Sequence, residues 1–387
     1  MFSEKLGQTR YFLAQRLVFT AIGIDFTNEE QPMQNPLRAF LSFFVMVALF
    51  LALLHFSIVN ISDIEVATDA MKLFCQIVLS SWKFVILVYN HKLIMRVVKK
   101  LMTWNRNANH TEGKFIIAEN GKDVIVSSLY CISVFSTVAV LGIQPFIVAG
   151  IGYIKNNTFK IEPPIKASYF VDYSKPHNYV FVYLWVAIAL YNGICITCGT
   201  EILFSWLMRN LSAQFDILQY RLHRVAQENG GNVSTESIID CIQYHRRIII
   251  TIEELSTAYS PIIFFKFSIS CIQLCLLAYR LSQDRLSNGL VLNFFFLLSV
   301  AQQLLIYSHG GQTIKYKSQN IAIIIYKSFD WHKMDNSCKK LLLLTILRAQ
   351  RHCFISGIFF EADYALFVWV FRTAASYFTL LLTLAGN

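Results

Sequence analysis

The sequence predicts an all-α fold: a polytopic membrane protein with seven transmembrane helices, a cytoplasmic N-terminus, an extracellular C-terminus, and cytoplasmic helical extensions that form an anchor domain. Three observations carry that expectation. The 387 residues are 55% hydrophobic and only 15% charged, with a mean hydropathy of +0.47, which is more apolar surface than one soluble core buries. The apolar residues gather into stretches near the roughly 20 residues a helix needs to cross the hydrocarbon, where every backbone polar group must be paired internally. Finally, Lys and Arg fall unevenly between the segments that connect those stretches.

The spans are expected at 37–61, 71–90, 124–154, 179–208, 261–279, 289–307 and 355–384. From Phe40 the first is free of formal charge apart from His55, while the second contains Lys72 and Lys83 and the fifth contains Lys266. The chain then divides into an N-terminal cytoplasmic or interfacial segment (1–36), spans one to four (37–208), a cytoplasmic hairpin (209–260), spans five and six (261–307), further anchor helices (308–354) and the last span (355–387). Glu4 ahead of a short apolar run and the lack of a small-residue cleavage pattern predict no signal peptide. Tyr11, Phe12, Leu13, Leu17 and Val18 around Arg10 and Arg16 suit an amphipathic helix at the membrane surface, the alternative being a disordered leader.

Orientation follows from the positive-inside rule. The segments sharing a side with the N-terminus hold 23 Lys and Arg, against 6 in the opposite loops, so the N-terminus is placed in the cytoplasm. Of the glycosylation sequons, those at Asn60 and Asn156 fall on the predicted outside, and those at Asn109, Asn210 and Asn232 fall inside. None of the nine Cys lies in an external loop, so no structural disulfide is expected. Cys195 and Cys198 have CxxC spacing, but within a span the reading is small-residue helix packing rather than redox or metal chemistry.

The net charge of +10 is concentrated in the cytoplasmic segments and calls for no nucleic-acid partner. Leu211, Phe215, Leu218 and Leu222 have helical spacing, with Gly230-Gly231 as the turn of the hairpin. Gly310-Gly311 are expected to permit a bend after the sixth span, and Asp335 or Asn336 to cap the helix that follows. The run Leu341–Leu344 with Ile346 and Leu347 is too apolar for an isolated helix and predicts burial against other extensions or another subunit. There is no HExxH, GxSxG or Walker loop, and Gly150-Ile-Gly152 lacks the third glycine of a dinucleotide loop, so neither an enzyme nor a cofactor is predicted.

In the last span Arg372, Ser376, Thr379 and Thr383 share one helical face, bordered by Leu380 and Leu384. One reading is a water-filled path closed by dewetting at the leucines, which requires an oligomer because one helix cannot enclose a pore. The other is that the hydroxyls bond the preceding turn and tolerate lipid. Glu361 and Asp363 are expected either to concentrate cations at the inner mouth or to pair with Arg348 or Arg351.

The run YKSFDWHKMDNSCKKLLLLTILRAQRHC and the ending FRTAASYFTLL resemble the insect odorant receptor family, through Tyr326, Trp331, the Leu-rich run, Arg348-Ala349-Gln350, Arg372-Thr373-Ala374 and Ser376 to Leu381. The ordered pattern covers roughly the last 70 residues. The resemblance implies a ligand-gated, non-selective cation channel of four subunits in the plasma membrane of olfactory neurons, in which an odour-tuned subunit assembles with the co-receptor Orco as a heterotetramer. The co-receptor's long insertion in the second cytoplasmic loop is absent, since the connection is only ENGGNVST, which implies the tuned subunit. By motif position Leu380 corresponds to the hydrophobic gate, with Thr383 and Leu384 near the outer constriction. Thr383 replaces a larger amide of the co-receptor, and no basic residue ends the chain.

The resemblance further implies an odorant pocket in the outer half of the bundle, which here offers Phe74, Ile77, Val78 and Ser81; Val138, Leu141, Gly142 and Pro145; Tyr183, Ala187, Leu190 and Tyr191; and Asn293 and Phe296. No formal charge occurs in that set, which suits a small neutral volatile, and its aromatic rings favour an aromatic or heteroaromatic one. Gustatory receptors share the architecture and remain an alternative. A G-protein-coupled receptor has the reverse orientation and would show DRY and NPxxY motifs that are absent here. A transporter would show internal repeats, and none is visible.

Overall fold

Most of the apolar stretches fold as helices that continue well past the membrane-crossing segment itself. The structure, a computed structural model, describes residues 12–24, 35–156, 162–173, 175–227, 234–283 and 289–385, without the side chains of 64, 65, 155, 156, 381, 384 and 385. Its helices, in chain order, are α1 (Leu13–Ala21), α2 (Pro36–Val59), α3 (Ile64–Tyr89), α4 (His91–Asn107), α5 (His110–Asn156), α6 (Pro176–Gln227), α7 (Thr235–Gln283), α8 (Leu290–Ser328), α9 (Asn336–Gln350) and α10 (Tyr364–Ala385). Six of these, α2, α3 and α5 to α8, are long and apolar enough to cross a membrane. The apolar α10, of 22 residues, completes the seven. Gly230-Gly231, Asn232, the side chain of Asn156 and that of Leu384 lie outside the described residues.

Length dictates the second layer. At 1.5 Å per residue, the 52 residues of α6 span roughly 78 Å, more than twice the ~30 Å of a hydrocarbon core. The excess of α5, α6, α7 and α8, with α4 and α9, gathers at one end, called lower here; the end holding Asn60 and Pro176 is upper. In its most apolar window 67% of α7 is buried, against 22% of α5 and 33% of α2. Helix α7 is therefore the central post, and α2 and α5 keep broad apolar faces outward.

The lower end is stapled by polar side chains. Asn105 Nδ2 donates to Asn210 Oδ1 (2.7 Å), Gln214 Nε2 to Asn105 Oδ1 (3.0 Å), Asn210 Nδ2 to Asn120 Oδ1 (3.1 Å), and Tyr244 Oη to Gln214. Arg221 pairs with Glu112 at 2.7 Å and lies 4.4 Å from the centre of the Tyr244 ring. Burial pushes the Glu112 carboxyl up, but the hydrogen bonds and charge of Arg221 and the Asn109 amide outweigh it and hold it below the ordinary carboxylate range.

Three local features bear on the sequence expectations. The helix is not interrupted at Gly310-Gly311, since α8 runs as one element to Ser328. The glycines instead admit close neighbours: a Cβ at 310 would lie 2.7 Å from Met208 Cγ, and one at 311 only 1.9 Å from the Ala362 carbonyl oxygen. The last helix starts at Tyr364 rather than near 355. The preceding chain is irregular, with a bridge between Ser356 and Glu361, Ile358 at φ 66°, and the amides of Ser356 and Ile358 donating to the hydroxyls of Ser256 and Ser260. Those side-chain acceptors satisfy amides that would otherwise enter a helix. The segment expected as an amphipathic helix does form one, α1: Phe12, just before it, meets Trp206 edge-on and Phe19 packs against Gly199, while Leu13 and Leu17 stay exposed.

The Leu-rich helix α9 is half covered. Leu342 is fully buried and Cys338, Thr345 and Ala349 line the same inner face, whereas Leu343, Leu344 and Leu347 are 51%, 64% and 62% exposed.

Candidate functional site

In the upper half, α2, α3, α5, α6 and α8 enclose a cavity of ≈ 80 Å³. Of the residues expected for the pocket, Ile77, Val138, Leu141, Leu190 and Phe296 line it. They are joined by residues the sequence reading did not single out: Met46 and Leu49 from α2, and the polar side chains Gln76, Ser80, Thr137, Thr197, Ser299 and Gln303. The signal that could have found Gln76 and Gln303 is an amide within an otherwise apolar span; the hydroxyls carry less, since Ser80, Thr137 and Ser299 bond the preceding turn and would tolerate lipid.

The remaining expected residues lie beside the cavity. Phe74 stacks on Phe50 at 5.0 Å between centroids. Tyr183 Oη donates to the Gly142 carbonyl at 3.3 Å, and its ring meets Phe146 edge-on. Val78 is half-buried and outside the lining, and Ser81 keeps a buried hydroxyl without a hydrogen bond. Ala187 and Tyr191 are exposed on the outer face of α6. Pro145 and Asn293 border a neighbouring upper cavity of ≈ 150 Å³ with Asp69, Lys72, Glu162, Lys166 and Arg280. Lys72 Nζ reaches Asn293 Oδ1 at 2.6 Å and Asp69 at 2.7 Å, and Arg280 Nε lies 3.0 Å from Asp69. Charge therefore adjoins the neutral set at its upper mouth.

The floor of the ≈ 80 Å³ cavity is a polar network. Ser80 and Thr197 share a hydrogen bond of 2.8 Å, and Gln273 Nε2 donates to Gln76 Oε1 at 3.2 Å. Lys266 Nζ donates to Gln303 Oε1. One turn along α3 and α6, Lys83 and Glu201 form an ion pair of 2.5 Å whose side chains are 1% and 0% exposed. Glu201 keeps a second buried oxygen without a partner, as do the hydroxyls of Tyr130, Tyr259 and Tyr307. The Phe204 ring lies between the last two at 5.1 and 4.6 Å. Lys83 and Lys266 were legible as charges within spans, but their partners were not.

Helix α10 packs on α7 and α8. Beyond Ala374 no described side chain of α10 is buried, and Ser376, Thr379, Leu380 and Thr383 are all exposed, Leu380 by 55%. Thr379 and Thr383 donate to the carbonyls of Ser376 and Leu380 at 2.8 and 2.7 Å, so their hydroxyls also have the local partners that the second sequence reading foresaw. At its base Glu361 and Asp363 meet Lys315 of α8 at 2.8 and 3.1 Å, and Glu361 meets His352 at 3.2 Å. The partner is thus Lys315, rather than Arg348 or Arg351; Asp363 also caps α10 by accepting from the Leu366 amide at 3.0 Å. Among the described residues no group of His, Cys, Asp and Glu is arranged to hold a metal, and none of the nine Cys is joined in a disulfide.

A family model described as 7tm Odorant receptor matches residues 63–375, which takes in α3 to α9 and half of α10. The chain belongs to the insect odorant receptor family. This receptor is 28% identical to Odorant receptor 45a of Drosophila melanogaster over 375 residues, covering 96% of the chain and 98% of that relative. It is 26% identical to Odorant receptor 9a of the same fly, covering 95% and 94%. The receptor also superposes on the structure of the olfactory receptor OR5 from Machilis hrabei in complex with eugenol, with a TM-score of 0.81, 97% of each chain covered and 15% identity. Odorant receptors of this family are multi-pass membrane receptors and not enzymes.

Proposed function

We propose that the receptor is the odour-tuned subunit of a ligand-gated, non-selective cation channel that opens together with the co-receptor Orco in a heterotetramer at the plasma membrane of olfactory neurons. The observation that carries this reading is α10. An apolar helix with an exposed stripe of Arg372, Ser376, Thr379 and Thr383, unpacked by its own chain in its upper half, is built to meet other copies of itself around an axis. The excess of Lys and Arg at the lower end supports a cytoplasmic N-terminus and an extracellular C-terminus. The exposed leucines of α9 supply an apolar face for neighbouring subunits.

The ligand is a small neutral volatile held in the ≈ 80 Å³ cavity. Phe296 and the aliphatic walls favour apolar area, while Ser80, Thr137, Thr197 and Gln76 offer hydroxyl and amide partners. The relative from Machilis hrabei was solved with eugenol, a neutral aromatic, which fits the preference for aromatic or heteroaromatic volatiles. Ligand binding favours an arrangement of α3 to α8 that draws the last helices apart and removes Leu380 from the axis, so the volatile need only bind the open form better.

Whole-cell current in cells expressing this chain, Orco, or both, during pulses of aromatic and aliphatic volatiles, tests the reading. Odour-evoked current is expected only with both chains and without nucleotide triphosphate in the pipette. Leu380→Ala is expected to raise basal current; unchanged basal and evoked currents would remove Leu380 from the gate. Gly193→Leu, which fills the cavity, is expected to reduce evoked current without loss of surface delivery.

A further inference from the structure

A second and larger cavity, of ≈ 340 Å³, lies in the lower half between α5, α6 and α8 and reaches Tyr364, the first residue of α10. It falls in the volume range of drug-sized ligands. Its wall on α8 runs from Gln302 to Thr313, about 16 Å of helix at 1.5 Å per residue. Leu129 (56% exposed) and Leu305 (46% exposed) form its rim. In a membrane receptor, that rim opens to hydrocarbon rather than to water.

Charge in the lining is confined to the lower end, while neutral polar groups, Gln302, the Tyr130 hydroxyl and Ser205, lie above it. Arg209, 13% exposed, is the first residue after the apolar part of α6 and so sits where hydrocarbon gives way to headgroups. One turn further, Ser212 is 1% exposed and its hydroxyl has no partner. Lys317 stands behind it, 3.4 Å from the Ser212 carbonyl oxygen. No carboxylate lines the cavity. The nearby acids already have partners: Glu119 with Lys122 at 2.7 Å and with Arg209 itself at 3.3 Å, Asp123 with the cavity-lining Ser205, and Asp216 with Lys317 at 2.6 Å; the Arg209 guanidinium also meets His309 Nε2 at 3.1 Å, which leaves its remaining N–H groups for a ligand. A buried hydroxyl without a partner is costly, and a ligand oxygen at this place would relieve it.

We propose that this cavity binds an aliphatic carboxylate from the lower leaflet. The head is held by the Arg209 guanidinium and the Ser212 hydroxyl, and the chain lies between α5 and α8 behind Leu129 and Leu305. The site is separate from the upper cavity, with α8 between them: Gln302 lines this one and Gln303 the other. Its occupant borders the pair His309 Nδ1 and Tyr364 Oη, 2.6 Å apart, which ties the base of α10 to α8. Binding here does not depend on the channel reading.

The test is equilibrium binding of radiolabelled laurate to the full-length receptor in phosphatidylcholine nanodiscs, competed with unlabelled laurate, dodecanol and dodecane. Saturable binding is expected, with dodecanol at least about tenfold weaker because it lacks the charge-assisted contact to Arg209. Leu305→Trp, made at an exposed rim position, is expected to abolish binding, and Ser212→Ala to weaken it about three- to tenfold. Ile272→Trp, an exposed α7 position away from both cavities, is the matched control and should bind as the parent does. Folding of each variant is read from its melting transition. Absence of saturable laurate binding by the folded receptor, equal affinity for dodecanol, or full binding by Leu305→Trp would each overturn the proposal.

Discussion

Helix α6 carries two different environments along one rod. In its upper part Val182, Val186 and Ala189 are buried while Phe181, Leu184, Ile188 and Tyr191 are 63%, 55%, 52% and 50% exposed, so a single face holds it to the bundle. From Cys195 to Phe215 almost every residue is buried, on all sides. The upper half is thus a set of helices touching along narrow stripes around a cavity, and the lower half is a packed platform stapled by amides and ion pairs. A change of shape costs least where few contacts must break, so the upper half is expected to rearrange more readily than the platform.

The largest expected effect comes from the junction of the two regions. Glu201→Leu leaves Lys83 buried without its counter-ion and should cost about 3–5 kcal/mol, lowering the melting temperature and surface delivery; the double variant Lys83→Met/Glu201→Leu should recover most of that loss. If both variants melt like the parent, the ion pair does not join the halves. Next, Leu211→Ala in the platform should cost about 2–5 kcal/mol, whereas Leu184→Ala on the exposed face of the same helix should stay within about 0.5 kcal/mol. Equal losses would erase the contrast.

A pH titration sharpens it further. His245 lies in α7 well before the apolar segment that starts near Pro261; burial, then the charge of Arg348, brings its pKa down to about 4. The unfolded chain binds a proton below about pH 6.5 while the folded platform does not, so stability falls as pH drops through the window from 6.5 to about 4. The shift corresponds to about 3 kcal/mol at full development. Melting curves between pH 7.5 and 4 should show this slope, and His245→Gln should flatten it. The smallest effects concern glycine. Gly311→Ala forces a Cβ onto the Ala362 carbonyl and should cost about 1–3 kcal/mol. Gly113→Ala, with nothing within 4 Å of its Cβ, should gain up to about 1 kcal/mol in helix propensity.

The membrane-crossing helices were legible because hydropathy is a local property summed over neighbours in the chain. Lys72, Lys83 and Lys266 could be seen as charges within spans, but nothing local marks Glu201 as the partner of Lys83, since the two are 118 residues apart. At the two glycines of α8 the sequence shows the missing Cβ and not the Ala362 carbonyl that needs the room. In the upper cavity, Ile77, Val138, Leu141, Leu190 and Phe296 were offered by the family resemblance, not by any local pattern. Met46, Gln76, Thr197 and Gln303 depend on which faces of α2, α3, α6 and α8 meet.

By itself, then, the sequence determined the all-α class, the seven crossings and the hydroxyl stripe Ser376, Thr379 and Thr383, since composition and 3.6-residue periodicity act within a single helix. Only the tertiary structure decided where the cavities lie, which carboxylates and amines pair, and that Glu361 and Asp363 answer to Lys315. Those outcomes rest on long-range packing between helices, in which a few ångströms separate an ion pair from an orphaned charge and a cavity from a filled core.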